Sequence, residues 1–418
     1  MILGIITTVA LLILYLWAFY NMPILLVGVR NRARRCSGRV ALSGSGEELP
    51  PVSFIVPVRD SCVVIGRLLQ ALLQLDYPSQ KVDIVLVVGG SSDNTVEVCN
   101  EYAERYPSRI KLLHQPMSIG KPSALNQGLE HVKGEIVAVF DADSVPSADL
   151  LRKAVAYFTD SSVVAVQGRN SAINADQNLL TRIVSYEEAI AFQIHLQGRE
   201  SLRRFVPLTG SCCLIRKSMI ERVSGWDSES LSEDLEMAVR LFHSGNRIRY
   251  APDVQSYQEN PSNVAQLTRQ RLRWFRGGME VGFKYGKLVR RLNMKNADIE
   301  LTLMGPFVFP ICFLGIAIAV YTSLFSIQTD FLSQLVSLLA SFLTFTVLLI
   351  MGIVLVHLDG QRRIANLVYL PFMYAYWIFE SFIATYALFQ IILRRPRKWA
   401  KIRKTGVVAC DGFRPRQG

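Results

Sequence analysis

Apolar runs long enough to cross a lipid bilayer lie on both sides of one polar block in this 418-residue chain. Inside hydrocarbon, backbone N–H and C=O groups find no water, so runs of this kind fold as helices. The first, about Ile2 to Val29, exceeds the roughly 20 residues needed to span a core of about 30 Å. Three more follow the polar block, at about Leu301–Ile327, Phe331–His357 and Leu367–Leu393. Whatever the chain does in water is therefore done between residues 52 and 300, against a membrane.

Charge agrees with that reading. The formal net charge is +12, and a basic balance of this size also fits nucleic-acid binding. Here, however, Lys and Arg gather beside the apolar runs, at Arg30–Arg39, Arg290–Arg291 and Arg394–Lys404. Such placement is the positive-inside pattern of membrane proteins, so no nucleic-acid partner is expected. The first run has no basic residue before it and an arginine cluster after it, without a small-residue cleavage site. It reads as a retained anchor over residues 1–29, N-terminus outside, with the following domain in the cytosol at the cell membrane. The seven cysteines show no C-x-x-C spacing, which points to reduced thiols rather than a disulfide framework.

Residues 30–51 are a basic juxtamembrane stretch ending in a Gly/Ser/Pro linker, 41–51. Apolar strands are then expected at Val52–Val58, Val82–Val88, Ile110–His114 and Ile136–Phe140, with helices at about 62–73, 95–106 and 123–132 between them. Strands alternating with helices at this spacing predict an α/β domain with a mostly parallel sheet, over residues 52–263. Ligands of such sheets bind beyond the carboxyl ends of the strands, where GGSSDNT and Asp141-Ala-Asp143 lie. Residues 264–300 open with arginines alternating with aromatic and aliphatic residues, as in an amphipathic helix lying in the membrane interface. The C-terminal membrane region covers 301–393 and a basic cytosolic tail 394–418. Three crossings after a cytosolic domain would leave that tail outside, against the charge rule. One of the last segments is therefore expected to be re-entrant or interfacial, and Pro371 marks the third. Glu380, in mid-segment, is expected to face protein or a ligand path.

Four polar signals carry chemistry. Asp141 and Asp143, two apart on an extended backbone, would face the same side and could hold Mg²⁺ or Mn²⁺, which take hard oxygen ligands and bridge to substrate phosphates. Asp93 sits in the glycine-rich turn after the second strand. Ser232-Glu233-Asp234 opens a helix; the plain reading is a cap with acids in its first turn, and the chemical reading makes Asp234 a general base. Gln270-Arg271-Leu272-Arg273-Trp274 offers guanidinium for a diphosphate and an indole for a sugar face. His195 reads as a packing histidine, Cys212–Cys213 as small residues in a tight spot, and His243 as a solvent or core residue of its helix.

Read in order, FIVPV, GKPSALNQGL, FDAD, TGSCCLIRKSMIERVSGWD, SEDLEMAVRLFHSGNRIRYAPD, Glu259 with Pro261, and QRLRW resemble the family 2 inverting glycosyltransferases, the membrane group that includes cellulose, chitin and hyaluronan synthases. The resemblance covers Val52 to Gly278 and implies a GT-A-type nucleotide-sugar fold. It assigns Asp93, Lys121, Asp141, Gln270 and Arg273 to the donor, and Asp141 and Asp143 to a Mg²⁺ or Mn²⁺ cofactor. Asp234 becomes the catalytic base, and Trp274, Glu233, Gly210 and Ser211 face the acceptor. Val88-Gly89 stand where the family has two aspartates that grip the nucleobase, and Arg59-Asp60-Ser61 replace its Asn-Glu. That departure leaves GDP-mannose beside a UDP-sugar as donor. The expected partners are a nucleotide sugar, a lipid-linked (polyprenyl) glycan acceptor and the bilayer, with transfer forming a β-linkage. A processive polysaccharide synthase is the alternative, and a non-catalytic membrane scaffold or a transporter stands further off.

Overall fold

A computed structural model describes residues 2–35, 49–115, 117, 120–286, 294–325, 331–357, 364–397 and 404–406. The linker at 41–48, the tail at 398–403 and 407–418, and the interface segment 287–293 lie outside the described residues.

The chain begins with α1 (Ile2–Arg35) and enters the domain as β1 (Val52–Val58), α2 (Cys62–Leu73), β2 (Val82–Gly89), α3 (Thr95–Arg105), β3 (Ile110–Gln115), α4 (Lys121–Leu129) and β4 (Ile136–Val139). It continues through β5 (Val145–Pro146), α5 (Leu150–Ala156), β6 (Val163–Ala172), α6 (Leu179–Ile190), a π-helical turn over Ala191–Leu196 and α7 (Gln197–Ser201). The domain closes with β7 (Cys213–Arg216), α8 (Lys217–Arg222), α9 (Glu233–His243) and β8 (Arg247–Gln258). After it come α10 (Val264–Tyr285), α11 (Met294–Leu303), α12 (Gly305–Leu324), α13 (Phe331–His357) and α14 (Leu370–Ile392).

The eight strands form one mixed sheet in the order β3-β2-β1-β4-β7-β6-β8-β5. The expected parallel half is present: β1 pairs in parallel with β2 and β4, and β2 with β3. β1, β2 and β4 are buried on both faces, while the edge strand β3 is partly exposed. Phe54, Val56 and Val58 join one core with α2 and α3, while Ile55 faces the opposite core with α4 and α9. Each such side chain contributes about 1.5–3 kcal/mol when fully buried, and the two-residue period fixes register, because a one-residue slip would exchange the faces. The second half turns antiparallel at β7, which lies between β4 and β6.

Among the described residues, four helices are long and apolar enough to cross a membrane, within α1, α12, α13 and 364–392. α1 also packs on the rest of the chain. Its C-terminal half lies on the domain, with Asn21 Oδ1 3.1 Å from His195 Nε2 and the Tyr20 hydroxyl donating to Asp298 Oδ1 at 2.5 Å. His195 is thus a packing residue, its basicity driven down by burial and by Arg199. α14 behaves differently from α12 and α13. Its first turn packs on Ile183, Val184 and Leu267 of the domain side, and its far end meets Arg276 through Gln390 and the Arg395 and Pro396 carbonyls. A 23-residue helix is about 35 Å long. It packs along α10, sharing an apolar cluster with Leu267 near one end and meeting Arg276 near the other.

Candidate active site

The loop after β4 meets the first turns of α4 and α9 through Lys121, and α10 approaches the start of α9 at Gly277. Around Lys121 the site is closely wired. Its ammonium lies 2.7 Å from Asp141 Oδ1, 2.7 Å from the Gly210 carbonyl and 3.4 Å from Glu233 Oε1. One buried cation therefore joins the aspartate after β4 to the acids that open α9. Burial alone would strip Lys121 of its proton, but Asp141 and Glu233 reverse that and raise its pKa.

Asp234 sits across Gly210 from this lysine. A Cβ built on Gly210 would lie 2.9 Å from Asp234 Oδ2 and 3.2 Å from Lys121 Nζ. Gly210 also has φ +78°, a left-handed conformation that disfavours any residue with a Cβ. Both constraints explain the glycine. Asp234 Oδ1 accepts from the Leu235 amide at 2.8 Å. Burial, then the neighbouring Glu233, push its carboxyl up to about 7 against the pull of Lys121 and Arg273. Ser232 makes no side-chain cap at α9, whose first turn carries Glu233, Asp234 and Glu236.

The Asp141–Asp143 pair departs from expectation in one respect. The Ser144 amide donates to the Asp141 carbonyl at 3.0 Å, so the motif forms a turn rather than extended backbone. Asp141 keeps 37% of its side chain exposed beside Lys121. Asp143 is buried and accepts from the Glu259 amide at 3.1 Å. Ser211, 1% exposed, accepts from the Asp141 amide at 3.2 Å and lies 2.9 Å from the Ser144 hydroxyl. It braces this turn, and touching an acceptor would require breaking those bonds. Asp93 likewise acts as a clamp: its carboxylate accepts from the Cys62 amide and from Thr95, joining the loops after β1 and β2.

The C-terminal tail enters the same site. Lys404 Nζ lies 2.7 Å from Asp143 Oδ2. The Thr405 amide and hydroxyl donate to Glu259 Oε2 at 2.9 and 3.1 Å, and the Gly406 amide donates to Oε1 at 3.1 Å. Arg67 completes the cluster, donating to Glu259 Oε1 at 3.3 Å and to the Asp143 carbonyl at 3.2 Å. Sequence reasoning missed this strap. The only signal for it was the charge argument that returned the tail to the domain's side. As for a divalent cation, no group of three or more acidic, histidine or cysteine side chains converges among the described residues. Two hard carboxylates fit an ion that takes its other ligands from phosphate and water, and the ammonium at Asp143 shows that this oxygen accepts a cation.

α10 carries the last elements. It starts where Asn263 Oδ1 accepts from the Gln266 amide at 3.0 Å. At Gly277 a Cβ would fall 2.3 Å from Ser232 Oγ, so glycine lets α10 approach the loop that leads into Asp234. Gln270 brings a buried Oε1 without a hydrogen-bond partner, an acceptor free for a ligand donor. Trp274 is 40% exposed, with the Arg271 guanidinium carbon 4.3 Å from its ring centroid. Arg271 is not available to a diphosphate. It is buried and held by Glu187, Glu380 and Tyr376, which leaves Arg273 as the guanidinium beside Asp234. Glu380 thus faces protein, as expected. Cys212 and Cys213 are buried, and Cys212 Sγ fills the space that a Cβ on Gly168 would need. His243 is exposed at the end of α9.

A family model described as "Glycosyltransferase like family 2" matches residues 50–277. The probable glycosyltransferase YdaM of Bacillus subtilis (strain 168) is 30% identical over 374 residues, covering 86% of this chain and 88% of that protein. The beta-monoglucosyldiacylglycerol synthase of Trichormus variabilis is 30% identical over 269 residues, 63% of this chain but only 57% of that protein. A poly-beta-1,6-N-acetyl-D-glucosamine synthase of Staphylococcus epidermidis is 24% identical over 85% of this chain and 87% of its own. Among solved structures, the mannosyltransferase PcManGT of Pyrobaculum calidifontis in complex with GDP-Man and Mn²⁺ shares the fold. It aligns with a TM-score of 0.61 and 20% identity, over 94% of this chain and 100% of that one.

Proposed function

The chain belongs to the family 2 glycosyltransferases, and from that membership we propose that it transfers a sugar from a nucleotide-diphosphate donor to a lipid-linked acceptor at the membrane. The donor is GDP-mannose or a UDP-sugar, and the new bond is β. The observation that carries this reading is the Lys121 bridge, which couples Asp141 to Glu233 while Asp234 stands across Gly210.

In this mechanism Asp234 accepts the proton of the acceptor hydroxyl as its oxygen attacks the anomeric carbon. The C1–O bond to the diphosphate breaks on the opposite face, its electrons leave with the nucleoside diphosphate, and configuration inverts. A carboxylate whose pKa is lifted to about 7 is a better base than an exposed aspartate. Arg273 and Gln270 offer a guanidinium and an amide to the departing diphosphate, stabilising charge where it develops, while Lys121 holds Asp141 in place beside it. Asp141 and Asp143 would hold Mg²⁺ or Mn²⁺, which supplies electrostatic stabilisation of the leaving group when bound. Trp274 gives the acceptor sugar an apolar face to stack on, and Asp93 fixes the loops beside the nucleoside.

We read α1, α12 and α13 as crossing and α14 as the segment that packs along α10, a topology that would put the tail and the domain on one face, the cytosolic one by the charge rule. Three crossings leave little material for a polysaccharide channel, which favours transfer to a lipid carrier over processive export. The test offers labelled GDP-mannose, UDP-glucose and UDP-N-acetylglucosamine to the purified chain in lipid with Mn²⁺ and a polyprenyl-linked acceptor. Label extracted into organic solvent from one donor supports the reading. Label in insoluble or high-mass aqueous product would make the chain a polysaccharide synthase.

A further inference from the structure

An apolar cavity of about 900 Å³ opens where the end of α10 meets α11, α12 and α14, walled by Phe283, Leu303, Phe307, Ala317, Leu388 and Ile392 among others. Catalysis as derived above makes no use of it. Beside it lies a second cavity of about 520 Å³, of opposite character, walled by Arg276, Glu280, Ile391, Arg394, Arg395 and Arg397. Phe283 faces both, and the neighbours Ile391 and Ile392 divide between them, so the two are one amphipathic slot.

Charge selects the occupant. Glu280 is already committed to Arg276 and Arg397, at 3.0 Å each. Among the described residues neither Arg394 nor Arg395 pairs with a carboxylate, and both are exposed. Glu280 and Glu229 answer Arg276 and Arg397, which leaves the Arg394 and Arg395 guanidiniums to meet an anion, and planar forks suit phosphate. Arg397 reaches Glu229 at 3.5 Å, in the loop that runs into α9 and Asp234.

We propose that this slot seats the acceptor as a phosphate-bearing membrane lipid, with its hydrocarbon chain in the apolar cavity and its phosphate against Arg394 and Arg395. The assignment deepens the lipid-acceptor reading and rests on it. It excludes a neutral lipid such as diacylglycerol as the preferred acceptor, since such a molecule leaves the arginines unpaired.

The experiment measures binding without turnover, by native mass spectrometry of the full chain in detergent with undecaprenyl phosphate or undecaprenol. Arg394→Ala/Arg395→Ala removes only exposed side chains, so the fold survives. It should weaken undecaprenyl phosphate binding at least tenfold and leave undecaprenol as it was. Ala317→Trp, which fills the apolar cavity, should weaken both lipids. Millimolar inorganic phosphate should not displace the lipid, since a free anion lacks the chain. Equal phosphate-lipid binding by wild type and the arginine variant would overturn the seat, as would equal wild-type affinity for the two lipids. If the wild type binds undecaprenyl phosphate as expected but transfers no sugar to any lipid-linked acceptor, the lipid-transfer reading fails while the binding site stands. If the arginine variant transfers normally, the seat fails and that reading survives.

Discussion

Substituting alanine for Gly210 tests the centre of the site with one methyl group. The residue has φ +78°, and a left-handed conformation costs a residue with a Cβ about 1–2 kcal/mol. The new Cβ would stand 2.9 Å from Asp234 Oδ2 and 3.2 Å from Lys121 Nζ. Both are ends of flexible side chains, so they give way by several tenths of an ångström rather than unfolding the loop. Stability should fall by about 1–3 kcal/mol, and each kcal/mol lowers the midpoint by roughly 2–4 °C for a domain of this size. The rate should suffer more. Misplacement by about 1 Å costs on the order of 10²-fold, so a smaller shift of the base predicts a loss of roughly 10- to 100-fold in kcat. Thermal unfolding in detergent and single-donor kinetics read the two effects separately. An alanine variant that melts with the wild type and transfers at the wild-type rate would refute the placement of Asp234 against Gly210.

Other expectations follow from the same geometry. Since Asp234 must be ionised to act, kcat/KM should rise with unit slope through pH about 7 and level off above it. Glu233→Gln, which removes a neighbouring charge that raises the group, should move that limb to lower pH; an unmoved limb would contradict the assignment. The same shift acts on stability: the folded carboxyl keeps its proton up to about 7 while the unfolded one loses it near 3.8, so this group's contribution declines as pH climbs through that window. Arg271→Met leaves Glu187 and Glu380 without their guanidinium and should cost about 3–5 kcal/mol. Adding Glu380→Met should recover part of it, and a single variant as stable as wild type would disprove the network's weight. Lys404→Ala removes an ammonium from Asp143 and should lower the Mn²⁺ concentration for half-maximal protection against unfolding; an unchanged midpoint would show that the two cations do not compete.

Much of this was legible in the chain because its signals were periodic or local. The first four strands announced themselves as short apolar runs, two of them leading into Gly89 and Asp141, and α10 by its alternation of arginine with aromatic residues. β5 and β6 escaped notice. β5 is two residues long and β6 ends in the polar run QGRNSA, so neither matches a buried strand to the eye. Asp141 and Asp143 were found but their backbone was misread, since a turn closed by the Ser144 amide leaves no trace in the period-two pattern. Partners distant in sequence were the least visible. Nothing near Lys404 points to Asp143, and nothing near Glu380 points to Arg271, because each contact exists only once the tail and α14 have folded back. The one hint was the charge argument that expected the basic tail on the domain's side, where Lys404 meets Asp143.

The most direct test of the account compares wild type with Asp234→Asn for donor affinity and sugar transfer in the same preparation with Mn²⁺. The account predicts donor binding within about threefold of wild type and transfer reduced on the order of 10³-fold or more. Wild-type transfer by that variant would remove Asp234 as the base and the mechanism with it.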